Sequence, residues 1–243
     1  MDINGSVALV TGANRGLGRA FAQRLLERGA AKVYAAARRP ETIDLPGVIP
    51  VRLDVTDPAQ IAAAAELAAD VTLLVNNAGT LSGERLVDGD LGAIRGEIET
   101  ILFGPLQLTR AFAPHLARNG GGAVLNVLSA MSWFGFDGSN GYFIAKAAAW
   151  AATNGLRLEL AGQGTQVTGL HAGLIDTDMT DGWPGAKLAP SDAADIALDG
   201  VEKGAAEVLA DEWSRTMKVY LTLDPADRDQ RIAADLAAVL ATA

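Results

Sequence analysis

Short apolar runs alternate along this chain with longer stretches of helical period. Val7–Val10, Val33–Ala37, Val48–Leu53, Leu73–Val75, Val124–Leu128, Val167–Ala172 and Val208–Ala210 are the apolar runs. Each is short, and most are nearly continuous in Val, Leu and Ala, the pattern of strands buried on both faces. Between them fall segments in which apolar residues recur every three or four positions. Phe21, Leu25 and Leu26 share one face of a helix over Arg19–Arg28, with Gly29 as its C-terminal cap. Pro58 opens a helix reaching Ala69. Longer helices are expected over Leu91–Leu116 and Tyr142–Ala161, and shorter ones over Ala193–Lys203 and Ala226–Leu240. Strand and helix alternating to the end predict one doubly wound α/β domain over residues 1–243, a seven-stranded parallel sheet of Rossmann type with helices on both faces.

Composition narrows the chemistry. With 20 basic and 29 acidic side chains the net charge is −9, which disfavours a nucleic-acid partner. There is no Cys, which excludes a disulfide scaffold, a thiolate metal site and a Cys nucleophile. Two distant histidines, His115 and His171, make a multi-His metal site a poor expectation, so no metal is assigned. No apolar stretch is long enough to span a membrane, and the start of the chain lacks the basic, apolar pattern of a signal peptide. A cytoplasmic protein without a membrane partner is expected.

Directly after the first strand stands Thr11-Gly12-Ala13-Asn14-Arg15-Gly16-Leu17-Gly18, glycines spaced as G-x-x-x-G-x-G at the opening of the first helix. Glycines let backbone approach a pyrophosphate, and the helix N-terminus offers free N–H groups at the positive end of its dipole. The second strand ends Ala37-Arg38-Arg39, without the acid that a ribose diol would favour. Arg15 and Arg38 instead suit a 2′-phosphate, so NADP(H) is the expected cofactor.

A second motif can move protons. Tyr142 and Lys146 stand four residues apart on one face of the long helix. A free phenol titrates near pH 10, and a nearby cation favours its ionised form. Ser129 follows the fifth strand, at the sheet edge where ligands bind.

Together Gly12, Gly16 and Gly18, then Asn76-Asn77-Ala78-Gly79, then Ser129 with Tyr142-x-x-x-Lys146 resemble the short-chain dehydrogenase/reductase family in its roughly 250-residue form. The resemblance runs in order from residue 7 to about 180. It implies a hydride exchanged between nicotinamide and an apolar or aryl ketone, or the matching secondary alcohol. Tyr142 would be the acid or base. Ser129 would hold the substrate oxygen, and Lys146 would lower the tyrosine pKa and hold the nicotinamide ribose. Cofactor contacts would come from Gly12, Asn14, Arg15, Gly16, Leu17, Gly18, Arg38, Asp54, Val55, Asn77, Ala78, Gly79, Tyr142 and Lys146. Gly173, Ile175 and Thr177 would complete them from a loop in which Ala172 replaces a usual proline. Leu81, Met131, Phe136 and Trp183 are the expected substrate contacts, the last in a segment after Thr177 that reads as a lid. The family also implies a homodimer or homotetramer built on the two long helices. One departure stands out: Ile101 occupies the place of an Asn that helps hold a relay water near the lysine. It opens a second reading, an NADP(H)-binding regulatory protein with impaired or no turnover.

Overall fold

The computed structural model describes residues 1–241, so the last two residues of the expected domain lie outside it. Its centre is a seven-stranded sheet: β1 (Val7–Thr11), β2 (Lys32–Ala37), β3 (Ile49–Arg52), β4 (Leu73–Asn76), β5 (Ala123–Val127), β6 (Gln166–His171) and β7 (Glu207–Leu209). The spatial order is β3-β2-β1-β4-β5-β6-β7, and every neighbouring pair is parallel. All seven expected strands are present, each displaced by no more than a residue or two. The order reverses between β1 and β4, so the connections leave in opposite directions and open a crevice at the carboxyl ends of the strands.

Helices α1 (Gly16–Glu27) and α6 (Pro190–Glu202) cover one face. There Ala8 and Val10 of β1 join Phe21, Leu25, Ala194, Ala197 and Leu198. Leu9, pointing the other way, packs with Leu74, Leu108, Phe112, Leu116, Leu156 and Leu160. The period-two alternation of a strand thus sorts a uniformly apolar run between two cores. The second face is built by α2 (Pro58–Leu67), α4 (Gly104–Arg118) and α5 (Asn140–Leu160). Asp57 caps α2 by accepting the Ala59 and Gln60 N–H groups. Gly29, at φ +83°, ends α1 as expected.

Two differences from the sequence-based reading have physical causes. The expected helix over Leu91–Leu116 is three pieces: α3 (Leu91–Ile98), a π-helical turn at Glu99–Phe103, and α4. Pro105 has no N–H for the Ile101 carbonyl and its ring clashes with that carbonyl in a regular helix, so the turn widens. The unexpected element is α7 (Glu212–Tyr220), whose face carries only a few apolar residues. Its Met217 packs with Ala130, Trp133 and with Ile232 of α8 (Pro225–Ala241). Among the described residues no helix is long and apolar enough to cross a membrane.

Phe112 is fully buried between α4 and the sheet. Phe112→Ala is expected to lower stability by about 3–5 kcal/mol, read from the midpoint of denaturant unfolding.

Candidate active site

The glycine turn is fixed by close contact. A Cβ on Gly18 would lie 2.1 Å from the Gly12 carbonyl oxygen, so only glycine allows α1 to start this near β1. Gly12 and Gly16 have φ +65° and +53°, where a side chain is strained. Arg15 provides no side-chain cap to α1, which leaves first-turn N–H groups facing outward. Leu17 points into the core, while Asn14 and Arg15 lie on the turn.

The turn after β4 is tied to the turn after β1 by one hydroxyl. Thr11 Oγ1 accepts the N–H groups of Asn77 at 2.9 Å and Ala78 at 3.0 Å. Asn77 returns its amide to the Thr11 carbonyl at 2.9 Å. Ala78 and Gly79 therefore border the crevice beside the glycine turn. Asp54 follows β3, with Oδ1 taken by the Thr56 N–H and hydroxyl. Val55 packs against Gly104 just after the π turn. Arg38 is exposed at the end of β2. Arg15 is exposed too, and meets Asp178 at 2.6 Å.

Ser129, Tyr142 and Lys146 come together at the end of β5 and the start of α5. Lys146 is buried, and its Nζ donates to the Val127 carbonyl at 2.6 Å and sits 5.5 Å from the Tyr142 ring centroid. Burial pushes this lysine down to about 8. Tyr142 is half-buried, and loss of solvent pushes its phenol up to about 12. The nearby Ser129 hydroxyl opposes that rise, whereas Glu97 adds to it. In the protein alone, loss of solvent is the largest influence on the phenol.

Ile101 lies in the π turn, 3% exposed, packed on Leu128, Ala145 and Ala149. It lines a cavity of about 20 Å³ together with Asn76, Asn126, Lys146 and Thr153. That is room for one water. Asn76 donates to Asn126 Oδ1 at 2.8 Å, and its own Oδ1, buried, has no protein partner.

The loop after β6 closes on the glycine turn. The Gly173 N–H bonds Asp211 Oδ2 at 2.6 Å, and Asp211 also caps α7. Ile175 pairs with Leu188 across the segment expected as a lid, and a Cβ on Gly16 would meet Thr177 Cγ2 at 3.2 Å. Of the expected substrate contacts, Phe136 and Trp183 do meet, their rings 6.1 Å apart, with Phe143 4.9 Å from Phe136. Met131 is joined to the centre through its N–H, which donates to Ser129 Oγ at 3.1 Å. Leu81 is half-buried on the turn beyond Gly79, and no ring or hydrogen bond joins its side chain to the other three.

A model of the short chain dehydrogenase family matches residues 6–187. The chain belongs to that family. It is therefore an oxidoreductase in the broad sense of the family. A short-chain dehydrogenase from Burkholderia cenocepacia, solved in complex with NADP, is similar at 40% identity over 97% of this chain and 99% of that one, with a TM-score of 0.90. One from Streptomyces avermitilis is 26% identical, covers 98% and 96%, and has a TM-score of 0.83. Among curated proteins, the 3-oxoacyl-(acyl-carrier-protein) reductase of Vibrio cholerae is 32% identical over 189 residues, 74% of this chain and 78% of its own.

Several members of this constellation carry no sequence signal. Asp211, Glu97 and the group behind Ser129 come from distant elements. In that group His171 Nδ1 donates to the Ser129 carbonyl at 2.9 Å, and Trp133 stacks on the imidazole at 4.1 Å. Glu207 lies 3.8 Å from Nε2 and is held by Lys218 and the Trp150 N–H. Burial pushes His171 down to about 4 from its ordinary 6.5, with Lys218 and Lys146 acting in the same sense and Glu207 against it.

The unfolded chain therefore takes a proton at His171 that the folded chain refuses. Its contribution to stability is complete above pH 6.5 and is lost as pH falls toward 4. The total is on the order of 3 kcal/mol at 1.36 per unit. His171→Asn keeps a donor but cannot titrate, so thermal unfolding from pH 7 to 4 should show a shallower acid loss in the variant.

Proposed function

We propose that the protein is an NADP(H)-dependent carbonyl reductase or alcohol dehydrogenase acting on apolar or aryl ketones and secondary alcohols. The observation that carries this reading is Ser129, Tyr142 and Lys146 brought together beside a glycine cradle. The cradle fits a dinucleotide pyrophosphate: Gly12, Gly16 and Gly18 leave the space that side chains would fill, and the uncapped start of α1 presents N–H groups to it. Arg15 and Arg38 suit a 2′-phosphate, and the NADP complex of the Burkholderia relative supports that choice. Asp54 and Val55 would hold the adenine end, with Asn77, Ala78 and Gly79 along the middle of the crevice. Gly173, Ile175 and Thr177 would hold the nicotinamide end.

Bound NADPH supplies the hydride that a carbonyl carbon accepts. Ser129 Oγ, held by the Met131 N–H, donates to the substrate oxygen and steadies its developing charge. Tyr142 gives its proton to that oxygen, and a phenol at about 12 remains protonated at neutral pH and is ready to do so. Lys146, turned from bulk water and fixed on the Val127 carbonyl, holds its charge beneath the phenolate that results. Phe136, Phe143 and Trp183 form an aromatic wall that suits an apolar substrate. This reading includes a cytoplasmic homodimer or homotetramer, supported by exposed Ile144 and Leu158 on α5.

Purified protein with NADPH and a panel of aryl and alkyl ketones should oxidise NADPH steadily, followed by its absorbance. Tyr142→Phe should lower kcat at least about a hundredfold while NADPH still binds. Tight binding with no turnover across the panel would overturn the enzyme reading and favour the regulatory binder.

Ile101 supports that second reading, since it cannot hydrogen-bond the cavity beside Lys146. Where proton supply through this cavity limits turnover, Ile101→Asn raises kcat. An unchanged or lower kcat, with Tm preserved, removes proton supply as the limit.

A further inference from the structure

The direction of the Ser129 hydroxyl is set by the backbone that bears it. The peptide unit joining Ser129 to Ala130 is gripped at both ends by consecutive residues, His171 at the end of β6 and Ala172 after it. The Ala130 N–H donates to the Ala172 carbonyl at 2.9 Å. The Ser129 carbonyl accepts from His171 Nδ1 at 2.9 Å and from the Ser132 N–H at 3.0 Å. The imidazole is the one side chain among these partners, so it is the one that a different residue would remove. A carbonyl can only accept, so Nδ1 carries the proton. His171 is fully buried, its Nε2 has no hydrogen-bond partner, and Glu207 Oε1 stands 3.8 Å away. An aliphatic side chain would fill the same space without orphaning a ring nitrogen. What histidine adds is the Nδ1–H aimed at Ser129. Trp133 keeps the ring in that orientation, stacked on it at 4.1 Å and 19°. The Lys218 ammonium lies 4.9 Å from the Trp133 ring centroid and is tied to Glu207 at 2.6 Å, so the group closes on itself.

We propose that His171 is a positioning residue for Ser129, its Nδ1–H fixing the Ser129–Ala130 peptide so that Oγ meets the substrate oxygen. The proposal rests on Ser129 as the group that holds that oxygen in the reaction above. Within the turn, Ser129 Oγ accepts the Met131 N–H at 3.1 Å, and the Ser129 N–H donates to Ser132 Oγ at 3.3 Å. Those bonds are made inside the turn and move with it. The bonds from His171 and Ala172 tie the same peptide to the end of the sheet. Without the imidazole this peptide is held there by its N–H alone and can rotate about that point, swinging Oγ. Misplacing a reacting group by about 1 Å can cost on the order of a hundredfold in rate. The overall equilibrium is untouched, so the loss falls equally on ketone reduction and alcohol oxidation.

The test compares His171→Asn, His171→Gln and His171→Leu in the full chain. The Asn amide nitrogen stands where Nδ1 does, the Gln amide nitrogen where Nε2 does, and Leu has no donor. His171→Gln and His171→Leu should lower kcat/KM by about ten- to a hundredfold in both directions, with His171→Asn within about threefold of the parent. The Kd for NADPH should stay within about twofold in all three. Two further readouts need no turnover. Nitrogen NMR of the parent should show the His171 ring protonated at Nδ1 and bare at Nε2, and His171→Asn assigns its signals among the two histidines of the chain. Hydrogen exchange at the Met131 amide, which reports the bond to Ser129 Oγ, should be about tenfold faster in His171→Gln than in His171→Asn. A parent ring protonated at Nε2 instead overturns the proposal, whether or not the variants fold. So do folded Asn and Gln variants with equal kcat/KM and equal Met131 exchange, which would show a packing role only. A parent that reduces no ketone counts against the proposed function, while the Nδ1 proton and the Met131 amide still decide the role of His171.

Discussion

The structure depends on how closely two backbones can approach at the end of β1. Gly18 sits where any side chain would strike the Gly12 carbonyl, and this brings α1 directly onto the sheet edge. Thr11, one residue before that turn, uses a single hydroxyl to hold the Asn77 and Ala78 N–H groups of the neighbouring turn. The two turns flank the point where strand order reverses, so a few atoms fix the floor of the crevice. Ser129, Tyr142 and Lys146 come from the turn after β5 and from α5 and need only be carried to the same edge by a parallel register.

Much of this was legible in the sequence because parallel strands buried on both faces leave an unmistakable apolar run. Leu9 and Leu74 belong to one core and Val10 and Val75 to the other, yet all read as strand. The glycine turn and the Tyr142–Lys146 pair were readable because their chemistry is local in sequence. What could not be read depends on residues far apart. Asp211 reaches Gly173 across 38 positions, and His171 meets Glu207 only because β6 and β7 are neighbours. The π turn was encoded in Pro105 but hidden by an apolar period that continues through it. The rise of the Tyr142 phenol was out of reach for another reason: spacing shows that a cation is near, but not how much solvent both groups lose.

Two groups of buried polar side chains lie on either side of Ser129. Asn76, Asn126 and Thr153 form a ladder between the sheet and α5, ending at the small cavity beside Lys146. His171, Glu207, Lys218 and two tryptophans form the other, behind the serine backbone. Groups of this kind add little net stability when complete, but fix a single arrangement of what they touch. Here one group holds the Ser129 carbonyl, and the other ends at the cavity that Lys146 also lines.

The ion pair between Arg15 and Asp178 has a consequence for the speed with which the crevice can fill. Both side chains are more than two-thirds exposed, and pairs in such surroundings are worth about 0–1 kcal/mol. A contact that weak opens and closes on the time scale of side-chain motion rather than of loop refolding. The strip from Thr177 to Thr180 thus rests on the glycine turn as a door on a light catch. An incoming anion can trade places with the carboxylate at Arg15, one negative partner for another, without first breaking anything that holds the fold.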